Sequence, residues 1–212
     1  MDTVAPVALT GDSLAAAVDE LAARDAELAG IVERHGLPPM WDRPAGFVTL
    51  VQLILEQQVS LASAGATYER LCSLVGEPTP AAVLRLADAE LAAIGFSRQK
   101  AGYVRDLAGA IDAGRLDVEL LAELGDDAVR AQLVAVKGIG RWTADTYLLM
   151  ALLRPDAWPA ADMALAAAIA DLKGLATRPT TEQVVSFGQA WRPWRSAAAR
   201  LLWLDYLRRR GR

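Results

Sequence analysis

The sequence contains few of the residues that most often bind metals. Cys72 is the only cysteine and His35 the only histidine among 212 residues. A single cysteine excludes an internal disulfide, a four-cysteine iron–sulfur cluster and a zinc site of the usual cysteine–histidine kind. We therefore expect a protein that requires no cofactor and has no iron–sulfur cluster.

Long apolar runs are also missing, and so are runs in which apolar and polar residues alternate. No segment reaches the ~18 consecutive apolar residues of a membrane span, and residues 1–14 lack the basic and apolar regions of a secretion signal. These absences favour a cytoplasmic protein with no membrane partner. No run sustains the period-2 alternation of a half-buried strand, whereas helical spacing recurs throughout, so the sequence predicts an all-α fold.

Lysine is scarce, since Lys100, Lys137 and Lys173 are the only three among 22 basic residues. The net charge of −4 argues weakly against a partner that is attracted mainly at long range, such as nucleic acid. Arginines gather in the final segment "WRPWRSAAARLLWLDYLRRRGR". This ending is typical either of a solvated helix C-terminus, where the helix dipole favours cations, or of a basic binding surface.

Glycines and capping residues divide the chain into helices. A long helix is predicted over about residues 13–35 and closes on Gly36. Three further helices are predicted in "SLASAGATYERLCSLVG", "PAAVLRLADAELAAIG" and "SRQKAGYVRDLAGAIDAG", each of which ends at a glycine. Asp126 and Asp127 stand where helix N-caps are expected, and Thr180 is followed three residues later by Gln183, as in a capping box.

In the segment "LVAVKGIGRWTADTY", residues 133–147, the helical pattern is interrupted for only about four residues and then continues. Gly138 and Gly140 permit a tight turn, and they leave the backbone bare where the next helix starts. The unpaired N–H groups there can bind an anion without any cationic side chain. Taken alone, the segment is more readily an ordinary turn between two helices, since glycine is common just after a helix end. We expect a helix-hairpin-helix over about residues 126–153.

Several strings in the same order resemble one family. "LVQLILEQQVSLASAGATYERL", "IGFSRQKAGYVRDLA", "LVAVKGIGRWTADTYLLMAL", "WPAADMAL" and "WRPWRSAAARLLW" together cover residues 45–207. They resemble the 3-methyladenine DNA glycosylase II family of helix-hairpin-helix base-excision glycosylases, in a short form without the N-terminal mixed α/β domain. The resemblance implies two helical lobes, residues 40–145 and residues 1–39 with 146–212, and an active site in the cleft between them.

The resemblance also implies an activity. Such an enzyme binds double-stranded DNA as a monomer, flips out an alkylated base such as 3-methyladenine or 7-methylguanine, and hydrolyses the bond to the sugar. Two alternatives stay open at this point. One is a non-catalytic helix-hairpin-helix module that only binds DNA, and the other is a glycosylase for oxidised or deaminated bases.

The catalytic residue that the resemblance implies is Asp162, whose carboxylate would stabilise the positive charge that develops on the sugar. From the residues alone, Asp162 is more readily a helix N-cap, and Asp145 and Asp156 are weaker acidic candidates. The implied base pocket contains Trp142 and Trp203, which suit an electron-poor alkylated purine. It also contains two residues where well-known relatives have tyrosines, Thr146 and Met163.

The implied DNA-binding residues fall in two places. In the hairpin they are Gly138, Ile139, Gly140, Arg141 and Thr143, beside a Na⁺ or K⁺ ion held by the backbone carbonyls of Val134, Val136 and Gly138. In the "EQQVS" turn, Gln58 stands at the position that fills the gap left by the flipped base. Gln57 and Ser60 are expected to bind the DNA backbone or to fix this turn.

The residue at position 142 predicts how the reaction ends. Relatives that also cut the strand have a lysine there, which forms a Schiff base with the sugar, whereas this chain has Trp142. Incubation with alkylated DNA and borohydride should therefore trap no covalent protein–DNA adduct, as measured by gel electrophoresis under denaturing conditions. A trapped adduct would contradict simple hydrolysis.

Overall fold

The computed structural model describes residues 7–211. All the regular secondary structure in this range is helical. The α-helices are α1 Gly11–Arg24, α2 Ala26–His35, α3 Phe47–Glu56, α4 Leu61–Val75, α5 Pro80–Arg85, α6 Asp88–Ala93, α7 Arg98–Asp112, α8 Asp126–Val134, α9 Arg141–Met150, α10 Met163–Leu172, α11 Thr181–Gly188 and α12 Arg195–Arg209. Leu120–Glu123 and Gln189–Trp191 form two short 3₁₀-helices.

The described chain divides into two compact units. The first unit is Arg43–Tyr147, and the second is Val7–Asp42 together with the described chain from Leu148 onward. The predicted all-α, two-lobed fold is thereby confirmed. None of the helices within residues 7–211 is both long enough and apolar enough to cross a membrane.

In the first unit, α3 is the central apolar helix. It packs against α4 and α7, while α5 and α6 also pack on α7. Leu50, Val51 and Ile54, spaced along one face of the helix, are fully buried. Burial of this apolar face stabilises the helix and fixes the position of its C-terminal end.

In the second unit, α12 is the central helix. It packs against α1, α2 and α10. Ala197, Ala198 and Ala199 are fully buried, and their small side chains let the neighbouring helices approach closely. Arg200 is also fully buried, which is rare for a charged residue unless all its donors are bonded.

Most of the predicted helix ends are confirmed. Gly36 and Gly76 cap their helices with positive φ angles of 73° and 75°. Thr180 and Gln183 form the expected capping box at the start of α11. The N-cap of α8 was predicted one or two residues too late, because Gly125 holds that position and the two aspartates occupy the first turn of the helix.

Two predicted helices are each broken into a pair. The helix predicted over 13–35 breaks at Asp25, whose carboxylate accepts the N–H groups of Glu27 and Leu28 and so starts α2. The other carboxylate oxygen accepts the indole N–H of Trp191 at 2.8 Å. The helix predicted in "PAAVLRLADAELAAIG" breaks after α5, where Arg105 binds the carbonyl of Leu86. In both cases a residue distant in sequence stabilises the break.

Asp25 gives a testable pH dependence of stability. Burial raises the pKa of Asp25. This effect is outweighed by the hydrogen bond from Trp191, by two backbone hydrogen bonds and by the charge of Lys173. The pKa of Asp25 therefore lies below its ordinary value of 3.8. A carboxylate with a lowered pKa stabilises the fold above the unfolded-state pKa and loses this effect as the pH falls through the folded-state pKa.

Asp25→Ala should therefore lower the free energy of unfolding by about 2 kcal/mol at pH 7, since a cap and a side-chain bond are lost. The difference from the parent protein should shrink below pH 3.8. Urea unfolding followed by circular dichroism at several pH values measures both effects. Asp19, exposed on α1, is the matched control, and Asp19→Ala should change stability by less than about 0.5 kcal/mol.

Candidate functional site

The turn between α8 and α9 in the first unit depends on glycine at position 138. Gly138 has φ +93°, which L-residues rarely adopt. The ring of Tyr103 also lies against it, so that a Cβ atom there would stand 2.2 Å from Tyr103 Cγ. At Gly140 no atom lies within 4 Å of such a Cβ. The two glycines of the motif are therefore not equivalent, because only Gly138 is required by both conformation and packing.

An ion-pair network clamps the two helices of the hairpin. Asp145 on α9 is 3% exposed, and its carboxylate binds Arg130 Nε at 2.5 Å and Arg141 Nε at 3.3 Å. Burial would lower the pKa of Arg130, but the hydrogen bond and charge of Asp145 raise it above its ordinary value. Asp145, a weaker acidic candidate on sequence, thus has a structural role in joining α8 to α9.

Gln57 connects the "EQQVS" turn to the hairpin. Its side-chain amide donates to the carbonyl of Gly138 at 2.9 Å and to Thr143 Oγ1 at 3.1 Å. Thr143 is 1% exposed, so this bond lies inside the unit. Of the two roles expected for Gln57, the contacts match fixing the turn, and they bring Gln57, Gly138 and Thr143 together.

The C-terminal end of α3 is held at consecutive residues. Lys100 Nζ donates to the carbonyl of Leu55 at 2.6 Å, and burial lowers the pKa of this lysine. Glu56 pairs with Arg43 at 2.9 Å, and burial raises the pKa of the Glu56 carboxyl although Arg43 opposes the shift. The next residue but one, Gln58, is exposed and has φ +59°. A fixed helix end therefore presents Gln58 to solvent in a left-handed turn.

Two other DNA-binding candidates in the first unit are the exposed Ser60 and the buried Ile139. Ser60 is the N-cap of α4, and its hydroxyl accepts the N–H of Ser63 at 3.2 Å. Ile139 is 3% exposed and its N–H donates to the carbonyl of Val136 at 3.1 Å. Both residues shape the backbone of the candidate site, whereas Arg141 extends outward with 73% of its side chain exposed.

The resemblance implies a monovalent cation on three hairpin carbonyls, and these carbonyls keep the acceptor capacity that such an ion would need. Val136 accepts from Ile139, and Gly138 accepts from Gln57. A carbonyl oxygen has two lone pairs, so each retains one for an ion. Val134 ends α8, where carbonyls lack partners within the helix. Carbonyl oxygens of this kind suit Na⁺ or K⁺ better than a transition metal.

In the second unit, Asp162 is the N-cap of α10. Its Oδ1 accepts the N–H of Leu165 at 2.7 Å and the indole N–H of Trp203 at 3.1 Å. Asp162 is half-buried, and the capping role that the residues alone suggested is confirmed. The structure thus brings together the implied catalytic carboxylate and one of the two implied pocket tryptophans.

The other implied pocket residues differ in exposure. Trp142 is half-buried in the first turn of α9, and Thr146 one turn later is 3% exposed. The Thr146 hydroxyl has no hydrogen-bond partner among the described residues. Met163, the first residue of α10, is 69% exposed. Asp156, the remaining acidic candidate, is bound by both Arg195 and Arg192.

The sequence analysis did not identify four residues whose side chains hold the candidate segments in place. Tyr103 and Lys100 lie on α7, far from the motifs in the chain, and Arg130 reaches Asp145 across a separation of 15 residues. Arg200 resembles the exposed arginines around it in sequence. The rarity of lysine was the one available signal, since Lys100 is one of only three.

The glycine turn and the two helices that it joins form the helix-hairpin-helix predicted from the sequence. A family model described as HhH-GPD superfamily base excision DNA repair protein matches residues 51–193. The match covers more than half of the 212 residues, and the chain belongs to this superfamily.

Individual relatives agree with the family. The chain is 29% identical over 184 residues to the putative DNA-3-methyladenine glycosylase YfjP of Bacillus subtilis, covering 83% of this chain and 64% of that protein. The structure of Schizosaccharomyces pombe 3-methyladenine DNA glycosylase Mag1 in complex with abasic DNA matches with a TM-score of 0.81 and 26% identity, over 89% of this chain and 95% of that one. A DNA-3-methyladenine glycosidase from Bacillus halodurans matches with a TM-score of 0.74 and 32% identity, over 90% and 88%.

The inequality of the two hairpin glycines is testable. Gly138→Ala should lower the free energy of unfolding by about 3 kcal/mol, because it combines backbone strain with a clash against Tyr103. Gly140→Ala, the matched control, should cost less than about 1 kcal/mol. Urea unfolding of both variants measures the difference, and equal losses would show that the Tyr103 contact does not constrain the turn.

Proposed function

We propose that this protein is a monofunctional DNA glycosylase that removes alkylated bases, such as 3-methyladenine or 7-methylguanine, from double-stranded DNA by hydrolysis. The observation that carries the proposal is the Asp162 carboxylate, bound by a backbone N–H and by the indole of Trp203. The chain spans 64% of the length of the Bacillus subtilis relative, so the activity of that whole protein is only proposed for this chain.

The proposed chemistry follows from charge. Cleavage of the bond between base and sugar builds positive charge on the sugar, and a nearby carboxylate stabilises that charge and orients the attacking water. Asp162 serves this role in the proposal. The indole bond from Trp203 keeps the carboxylate in one orientation without adding a positive charge that would oppose its effect.

The residues proposed to bind the base favour electron-poor bases. The ring of Trp203, which bonds to Asp162, attracts an N-alkylated purine, which carries positive charge, by about 0.5–2 kcal/mol. Trp142, Thr146 and Met163 are proposed as further base-binding residues. The names of the relatives, which are 3-methyladenine glycosylases, favour alkylated over oxidised bases.

Binding of DNA is proposed to use short-range contacts. In the hairpin from Gly138 to Thr143, the first N–H groups of α9 bind a DNA phosphate, and Arg141 lies beside them. A Na⁺ or K⁺ ion binds the carbonyls of Val134, Val136 and Gly138. Gln58 fills the space of the flipped base, and the protein acts as a monomer. The structure of the similar Mag1 protein, which contains abasic DNA, supports DNA as the partner in this proposal.

Asp162→Asn tests the proposal directly. Asparagine keeps the cap and accepts the same two bonds but lacks the charge, so base release should fall about 100-fold or more while DNA affinity and folding are retained. The measurement is incubation with randomly methylated duplex DNA, chromatography of the freed bases, and a binding assay. The chromatography also identifies the preferred base.

Asp156→Asn is the matched control, since that loop aspartate is bound to Arg195 and Arg192 and has no part in the proposed reaction. Its rate of base release should stay within about threefold of the parent protein. A parent protein that binds DNA but frees no base would support the non-catalytic binding module instead.

A further inference from the structure

The chain adopts an unusual conformation at Trp41 in the second unit. Its φ angle is +46°, in the left-handed region that bulky residues rarely occupy. Such a conformation persists only where the surrounding contacts determine it. Two residues of α12 supply those contacts, one to the backbone before Trp41 and one to its ring.

The backbone contact comes from the buried Arg200. Its Nε donates to the carbonyl of Met40 at 2.8 Å, and its remaining nitrogens donate to the carbonyl of Leu149 at 2.8 Å and to Ser196 Oγ at 2.7 Å. Burial lowers the pKa of Arg200 to about 10, so the group stays charged at neutral pH. A buried guanidinium that donates from all three of its nitrogens thus fixes the position of Met40 and of the residue after it.

The ring contact comes from Trp203, which lies three residues after Arg200 and therefore on the same face of α12. The Trp41 and Trp203 rings meet edge to face, with centroids 6.4 Å apart and planes at 69°. The same Trp203 donates its indole N–H to Asp162 Oδ1 at 3.1 Å. An indole has one donor, so the orientation of the ring decides where that hydrogen points.

We propose that Trp41 is a positioning residue, which holds the Trp203 indole so that its N–H binds Asp162, with Arg200 fixing the corner that places Trp41. The proposal rests on the proposed function, in which Asp162 acts on the sugar. Trp41 acts on the reaction only through Trp203. Loss of its ring should therefore change the rate of base release and leave DNA affinity unchanged.

The test is a double-mutant cycle on Trp41 and Trp203, with single-turnover base release and DNA affinity as readouts. Trp41→Ala should slow release about 10-fold with unchanged affinity, the size expected for losing one bond to a charged group. Trp41→Phe, which keeps an aromatic edge, should restore most of the rate. The variant Trp41→Ala/Trp203→Phe should be no slower than Trp203→Phe alone, because both changes remove the same bond.

A spectroscopic readout separates this proposal from the proposed function. The indole N–H resonance of Trp203, assigned by its loss in Trp203→Phe, should shift in Trp41→Ala and stay in place in Trp41→Phe and in the control Trp194→Ala. Trp194 bonds to Glu20 instead. If the resonance shifts but the parent protein releases no base, the proposed function fails and the positioning of Trp203 by Trp41 stands.

Other outcomes would overturn the proposal. An unchanged resonance in Trp41→Ala would show that Trp41 does not orient the Trp203 indole. Additive losses of rate in the double variant would show that Trp41 acts independently of Trp203. Weaker DNA binding by Trp41→Ala at an unchanged rate of release would assign it to DNA contact.

Discussion

Every α-helix begins with N–H groups and ends with carbonyls that have no partner inside the helix, and several of the candidate residues lie at such ends. Gln57 and Gln58 follow the end of α3, the hairpin glycines stand between α8 and α9, and Asp162 starts α10. The need to satisfy these groups fixes side chains such as Gln57, Lys100 and Asp162. The same need leaves the backbone at the start of α9 suited to an anion.

This use of the backbone reconciles an acidic chain with the proposed DNA partner. A net charge of −4 gives little long-range attraction, but helix N-terminal amides act over a few ångströms and require no basic surface. Arginines also bind the acidic groups near the candidate site, as Arg130 does at Asp145 and Arg195 does at Asp156. The arginine-rich composition thus contributes to internal structure as much as to surface charge.

The sequence predicted what depends on neighbouring residues. Helix stops at Gly36 and Gly76, the capping box at Thr180 and the all-α pattern are set within a few positions, and they are confirmed. The breaks at Asp25 and Leu86 were missed, because the residues that stabilise them lie far away in the chain. For the candidate site the sequence supplied the motif residues, while the partners that hold them, such as Tyr103 and Arg130, are brought near only by folding.

The fold holds the Asp162 carboxylate in one orientation. The helix cap and the indole bond fix the carboxylate while the chain folds, and an oriented group need not reorganise when charge develops beside it. In the proposed reaction the entropy of ordering this side chain is lost once, at folding, and not in every turnover. A carboxylate on a mobile loop would incur that loss with each base released, so in the proposed reaction the preorganised cap would itself increase the rate.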